Sequence, residues 1–118
     1  MIDHVCLIVT SLERSKSYYE KILGLESRES PTDGKLLLLE NKEIHFFLLE
    51  RPASKEFLAL QHLSIQTDSL ERKKAELIRN GICDFTQGRF DLFQYRNYQW
   101  IEWRDPDGIR LEYVELIQ

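Results

Sequence analysis

Residues 61–72 read QHLSIQTDSLER and residues 3–14 read DHVCLIVTSLER, one pattern in one register. His62 follows His4 by 58 positions (62 minus 4), and the same offset lays Ser69, Leu70, Glu71 and Arg72 on Ser11, Leu12, Glu13 and Arg14, with Lys74 on Lys16. A single insertion or deletion between the copies would break that match. The repeat is far longer than a solenoid period, which needs three or more short units. It therefore reads as two copies of one supersecondary module building one domain.

Side chains alternate between the faces of a strand, which fixes where the two histidines point. His4, Cys6 and Ile8 share one face, and Val5, Leu7 and Val9 share the other. In the second copy His62, Ser64 and Gln66 face one way, with Leu63 and Ile65 opposite. One face packs on something apolar. The other carries imidazole, thiol, hydroxyl and amide, the composition of a site wall.

The chain has 118 residues, enough for one domain with a real core. Hydrophobic residues at 42% and charged residues at 31% are ordinary globular values, so no staple is required. A net charge of -4 without a basic stripe argues against nucleic acid or an anionic membrane as the main partner. The start has no basic stretch, and its apolar run is broken by Thr10 and Ser11, so neither a signal peptide nor a membrane span is expected. The expected compartment is the cytoplasm. Two cysteines, Cys6 and Cys83, without metal-finger spacing suit reduced thiols.

Along the chain, Thr10 or Ser11 can cap a helix from about Leu12 to Leu23, stopped by Gly24. Pro31, Asp33 and Gly34 supply turn chemistry. KLLLLE then reads as a strand buried on both sides. After a turn at Asn41 and Lys42, EIHFFLLE puts Ile44, Phe46 and Leu48 on one face and His45, Phe47 and Leu49 on the other. Module 1 thus spans about 1–50, a linker about 51–60, and module 2 about 61–118. Module 2 repeats the plan: a helix capped by Asp68 or Ser69 running to Asn80, Gly81 as its stop, and strands near 82–86, 98–103 and 109–116, with RDPDG as the last turn. Each module reads strand, helix, three strands, an α+β domain of two βαβββ modules.

In the last strand Arg110, Glu112 and Val114 share a face, opposite Leu111 and Tyr113. Glu112 reads as the counterpart of His45, since both lie on the last strand of a module. If the sheets close toward each other, His4, His45, His62 and Glu112 converge. Three imidazoles and one carboxylate suit a divalent transition metal. A lone strand histidine is more often structural, but these are all 3 histidines of the chain, each at a related position. Cys6, Ser64, Phe47, Trp103 and Arg96 are candidate substrate contacts. Most aromatics between Phe90 and Trp103 should pack the sheet. An alternative makes 88–97 a mobile loop through which Arg89, Tyr95 or Arg96 reaches substrate. ERKKAE is a solvated helix face.

The two-module plan, IDHVCLIVTSLERSKSYYEKILGL, and the RDPDG ending followed by Glu112 resemble the glyoxalase I, bleomycin-resistance and extradiol-dioxygenase superfamily, the vicinal oxygen chelate proteins. The resemblance covers nearly the whole chain. It implies metal ligands on the first and last strands of each module, which by position are His4, His45, His62 and Glu112. Glyoxalase I proteins commonly carry a glutamate where this chain has His45, so Glu112 is left as ligand and catalytic base together. Fosfomycin-resistance thiol transferases resemble this chain in using only the positions of His4, His62 and Glu112, and some have a cysteine at Cys6. Their longer basic tail has no equivalent before Gln118. Bleomycin-binding members lack the metal set.

The expected function is a lyase, isomerase or dioxygenase acting on a small oxygenated substrate, with a divalent ion (Zn, Ni, Mn, Fe or Co) stabilising an oxyanion or enediolate. The alternatives are a protein that sequesters a small molecule without reaction, or a thiol transferase of the fosfomycin-resistance type. A homodimer is expected.

Overall fold

The repeat-related serines each start a helix. Ser11 Oγ accepts from the Arg14 amide at 3.3 Å and Ser69 Oγ from the Arg72 amide at 3.2 Å, satisfying amides that have no partner inside the helix. A second carboxylate cap appears in both copies. The Leu12 amide donates to Glu50 Oε1 at 2.9 Å and the Leu70 amide to Glu115 Oε1 at 2.7 Å, where negative charge also suits the helix dipole. Helix α1 covers Leu12–Leu23 and α3 covers Leu70–Arg79.

The computed structural model describes residues 1–32, 34–93 and 96–117, with the side chains of 92 and 93 left aside. The chain divides into two units, Met1–Gln61 and His62–Gln118. Asp33 and Tyr95 lie outside the described residues.

In the first unit β1 (Cys6–Val9), β2 (Glu26–Glu29), β3 (Leu36–Glu40) and β4 (His45–Glu50) form a sheet in the order β1-β4-β3-β2. The β1–β4 pair is parallel and the others antiparallel. Such a parallel pair needs a crossover, which α1 begins. The helix packs its Tyr19 and Ile22 on the buried face of Leu7, Val9, Leu37, Leu39, Phe46 and Leu48. Tyr19 meets Phe46 edge-on with centroids 5.7 Å apart.

The four leucines of β3 are buried on one face only: Leu37 and Leu39 are sealed, while Leu36 and Leu38 are half-buried. The alternation within LLLL cannot be read from its letters, because all four are the same.

The segment read as a linker contains helix α2 (Lys55–Leu60), with Ser54 Oγ accepting from the Phe57 amide at 3.1 Å. Its end is fixed to β1. Gln61 accepts from the Ile8 amide and donates to the Ile8 carbonyl, both at 2.7 Å, so one side-chain amide occupies the place of a strand neighbour and covers the edge.

The second unit repeats the topology with β5 (His62–Gln66), β6 (Thr86–Phe93), β7 (Arg96–Arg104) and β8 (Arg110–Leu116), in the order β5-β8-β7-β6 with β5 and β8 parallel. Leu77 of α3 covers a core of Ile101, Trp103, Ile109, Leu111 and Tyr113. The expected strand at 82–86 is displaced to Thr86–Phe93. The alternative of a mobile loop at 88–97 is not the one adopted: its described residues belong to β6 and β7, in keeping with the expectation that this aromatic stretch packs the sheet.

Two glycines allow this sheet. Gly88 stands opposite Trp100, and a Cβ there would come within 2.5 Å of the indole, so hydrogen alone leaves space for the ring. Gly108, at φ +87, closes the RDPDG turn. In that turn Asp105 Oδ1 accepts from the amides of Asp107 at 2.8 Å and Ile109 at 2.9 Å.

Candidate metal centre

Register decides which positions correspond. Cys6 pairs with Phe47 across β1 and β4, and Ser64 pairs with Glu112 across β5 and β8. Cys6 and Ser64 are repeat partners, so Phe47, not His45, is the counterpart of Glu112. His45 instead corresponds to Arg110, which pairs with His62. The sequence-based equivalence of His45 and Glu112 is therefore two residues out of step. Two residues keep the face, so alternation alone could not detect the slip.

In the second unit His62 and Glu112 come together. Glu112 is buried, at 7% exposure. Ser64 Oγ donates to its Oε1 at 2.8 Å, and His62 Nε2 lies 3.4 Å from the same oxygen. Ser64 thus orients the carboxylate, a more specific task than substrate contact. Glu102 stands directly opposite Glu112 on β7 and pairs with Arg110 at 3.0 Å. Sequence reasoning did not single out Glu102, although its alternation within WIEWR places it on this face.

In the first unit His4 precedes β1 by two residues, although the carbonyl of Val5 already accepts from Phe47. His4 meets Phe47 edge-on at 4.8 Å and His45 at 6.3 Å between centroids. Asp3, which the sequence reading passed over, sits between the imidazoles. Its Oδ2 lies 2.7 Å from His4 Nδ1 and 3.3 Å from His45 Nε2. Hydrogen bonding from His4, then from His45, holds the Asp3 carboxyl below its usual value. The signal was available: a carboxylate adjacent to the histidine that opens the repeat. Cys6 is exposed, and partial burial pushes its thiol up, so it stays protonated at neutral pH.

Two expected substrate contacts fall elsewhere. Trp103 is 2% exposed, pairs with Leu111 and tilts against Tyr113 at 5.1 Å, so it is a core residue on the face opposite Glu112. Arg96 is exposed at the start of β7, six residues before Glu102, which is roughly 20 Å along an extended strand.

The family model for the glyoxalase/bleomycin resistance protein/dioxygenase superfamily matches residues 1–113. The chain belongs to this superfamily. It is 32% identical over 116 residues to a Bacillus subtilis protein named "probable trivalent organoarsenical cleaving enzyme", covering 93% of this chain and 76% of that one. Among solved structures it is similar to a virulence protein of Salmonella typhimurium, with a TM-score of 0.77, 22% identity, and 99% and 97% of the two chains covered. It is also similar to a variant of the fosfomycin resistance protein FosX of Listeria monocytogenes in complex with Mn(II) and 1S,2S-dihydroxypropylphosphonic acid, with a TM-score of 0.69, 17% identity, and 96% and 87% covered.

Members of the superfamily bind small-molecule substrates and commonly use divalent metal ions. The donors of the second unit fit such an ion. Two atoms bound at about 2.1 Å around a tetrahedral centre stand about 3.4 Å apart, the separation of His62 Nε2 from Glu112 Oε1. Among the described residues no helix is long and apolar enough to cross a membrane.

Proposed function

We propose that this protein is a metal-dependent enzyme of the superfamily, a lyase, isomerase or dioxygenase acting in the cytosol on a small oxygenated substrate. Carried over by position from the superfamily, its metal donors are His4, His62 and Glu112. The observation that carries the reading is the buried Glu112 carboxylate facing His62 Nε2 at 3.4 Å. Burying a carboxylate is costly unless positive charge or hydrogen bonds offset it; among the described residues Ser64 donates one hydrogen bond to Glu112 and His62 stands beside it, and an ion between His62 and Glu112 would supply the charge. A divalent ion held there would supply Lewis acidity toward a substrate carbonyl or enediolate oxygen. Glu112 also offers a base within reach of a substrate carbon acid, with Ser64 holding its orientation. Phe47 fills the position related to Glu112 and contributes no donor, so three protein donors leave room for substrate oxygens.

The test is elemental analysis and titration of untagged protein with zinc, nickel and manganese. Uptake of one ion per site is expected. A wild-type protein that takes up none of them leaves the sequestering alternative in place of the enzyme.

We further propose a homodimer, because a short module leaves a half-open face on each sheet. Sedimentation equilibrium at micromolar concentration should give twice the chain mass of 14.1 kDa. A mass near the single value overturns this.

Cys6 favours a narrower second reading, cleavage of a trivalent organoarsenical as in the name of the Bacillus subtilis relative. Soft, thiophilic centres prefer sulfur ligands, and Cys6 is an exposed thiol on the His4 face. Metal-loaded protein should release arsenite from a trivalent phenylarsenical, and Cys6→Ser should abolish release. Equal release by wild type and Cys6→Ser, or by neither, removes this reading.

A further inference from the structure

Two donors on one ion at about 2.1 Å stand about 3.0 Å apart at right angles and about 3.4 Å apart at tetrahedral angles. Asp3 Oδ2 and His4 Nδ1 are closer than either, at 2.7 Å, which is the length of a charge-assisted hydrogen bond. A carboxylate accepting at Nδ1 fixes the ring proton there. The lone pair is then on Nε2, and the edge of Phe47 at 4.8 Å limits rotation of the ring. The same Asp3 oxygen faces His45 Nε2 at 3.3 Å, so His45 has its outer nitrogen turned toward Asp3.

We propose that Asp3 is the positioning residue of the metal centre: it presents His4 through Nε2 and holds His45 as a support for the carboxylate instead of as a ligand. The inference rests on the metal reading above. Register supports it independently, because His45 is not at the position related to Glu112. Partners that orient a ligating histidine typically account for about 10–100-fold in metal affinity.

The experiment measures two things on full-length protein. Nitrogen-15 spectra of the histidine rings, recorded without metal at neutral pH, report the tautomer of His4. Zinc competition against a chromophoric chelator reports affinity. Wild-type His4 should carry its proton on Nδ1. Asp3→Ala should lose that preference and weaken zinc about 10–100-fold, with an unchanged unfolding midpoint, since the Asp3 side chain is 78% exposed. Asp3→Asn, whose amide oxygen still accepts, should restore the tautomer. His45→Ala should cost no more affinity than Asp3→Ala, and His4→Ala much more.

Asp3→Ala that matches wild type in tautomer and affinity overturns the role of Asp3. His45→Ala as damaging as His4→Ala overturns the support role of His45. Failure of the metal reading is distinguishable, because a wild type that binds no zinc still reports the His4 tautomer.

Discussion

His62→Ala should abolish retention of a stoichiometric divalent ion while leaving the fold intact. Four-donor protein sites bind zinc with about 10–16 kcal/mol, so one donor's share is about 3 kcal/mol, or roughly 100-fold. With three protein donors, as proposed here, each carries a larger share and the loss is greater. Stability should change little, since His62 opens β5 and is exposed. Glu112→Gln tests the other half of the pair: the amide oxygen can still accept from Ser64, but the negative charge and the base are gone. Both variants should fail in zinc competition and keep the wild-type circular dichroism spectrum. Wild-type affinity in His62→Ala would remove that residue from the metal set.

Much of this arrangement is legible in the sequence. The offset of 58 between His4 and His62 gave the two modules, and alternation correctly separated Leu7 and Val9 from Cys6, and Phe46 and Leu48 from His45 and Phe47. Ser11 and Ser69 cap helices because a serine before an amphipathic run satisfies an otherwise unpartnered amide. What sequence could not settle is register. Strand pairing is fixed by contacts distant in sequence, and a slip of two residues conserves every face, which is why His45 was matched to Glu112 when Phe47 is its partner in topology. The aromatic run from Phe90 to Trp103 favours strands by composition, but composition leaves the strand ends and their pairing open. Gln87 pairs with Ile101 and Gly88 with Trp100, and nothing local encodes those pairs. For Asp3 the sequence shows its place beside His4, but its second contact, to His45, spans 42 residues and is set by the fold.

Trp103→Ala should be among the most destabilising single changes in the second unit. Trp103 is 2% exposed, stands opposite Leu111, itself fully buried, and leans on Tyr113. Truncating a buried indole removes its transfer free energy and leaves a cavity that the surrounding strands cannot fully close, about 3–5 kcal/mol in all. Against a total stability of about 5–15 kcal/mol for a domain, that is a large fraction. The urea midpoint should fall steeply with little change in slope, because the surface exposed on unfolding is nearly the same. Trp103→Phe keeps a ring in the core and should recover much of the loss. Its metal affinity should equal wild type, since Glu112 lies on the opposite face of the same sheet. Those two variants separate packing from recognition: a Trp103→Phe protein with wild-type stability but impaired substrate binding would return Trp103 to the site, whereas a stability loss with binding intact confirms that the indole belongs to the core.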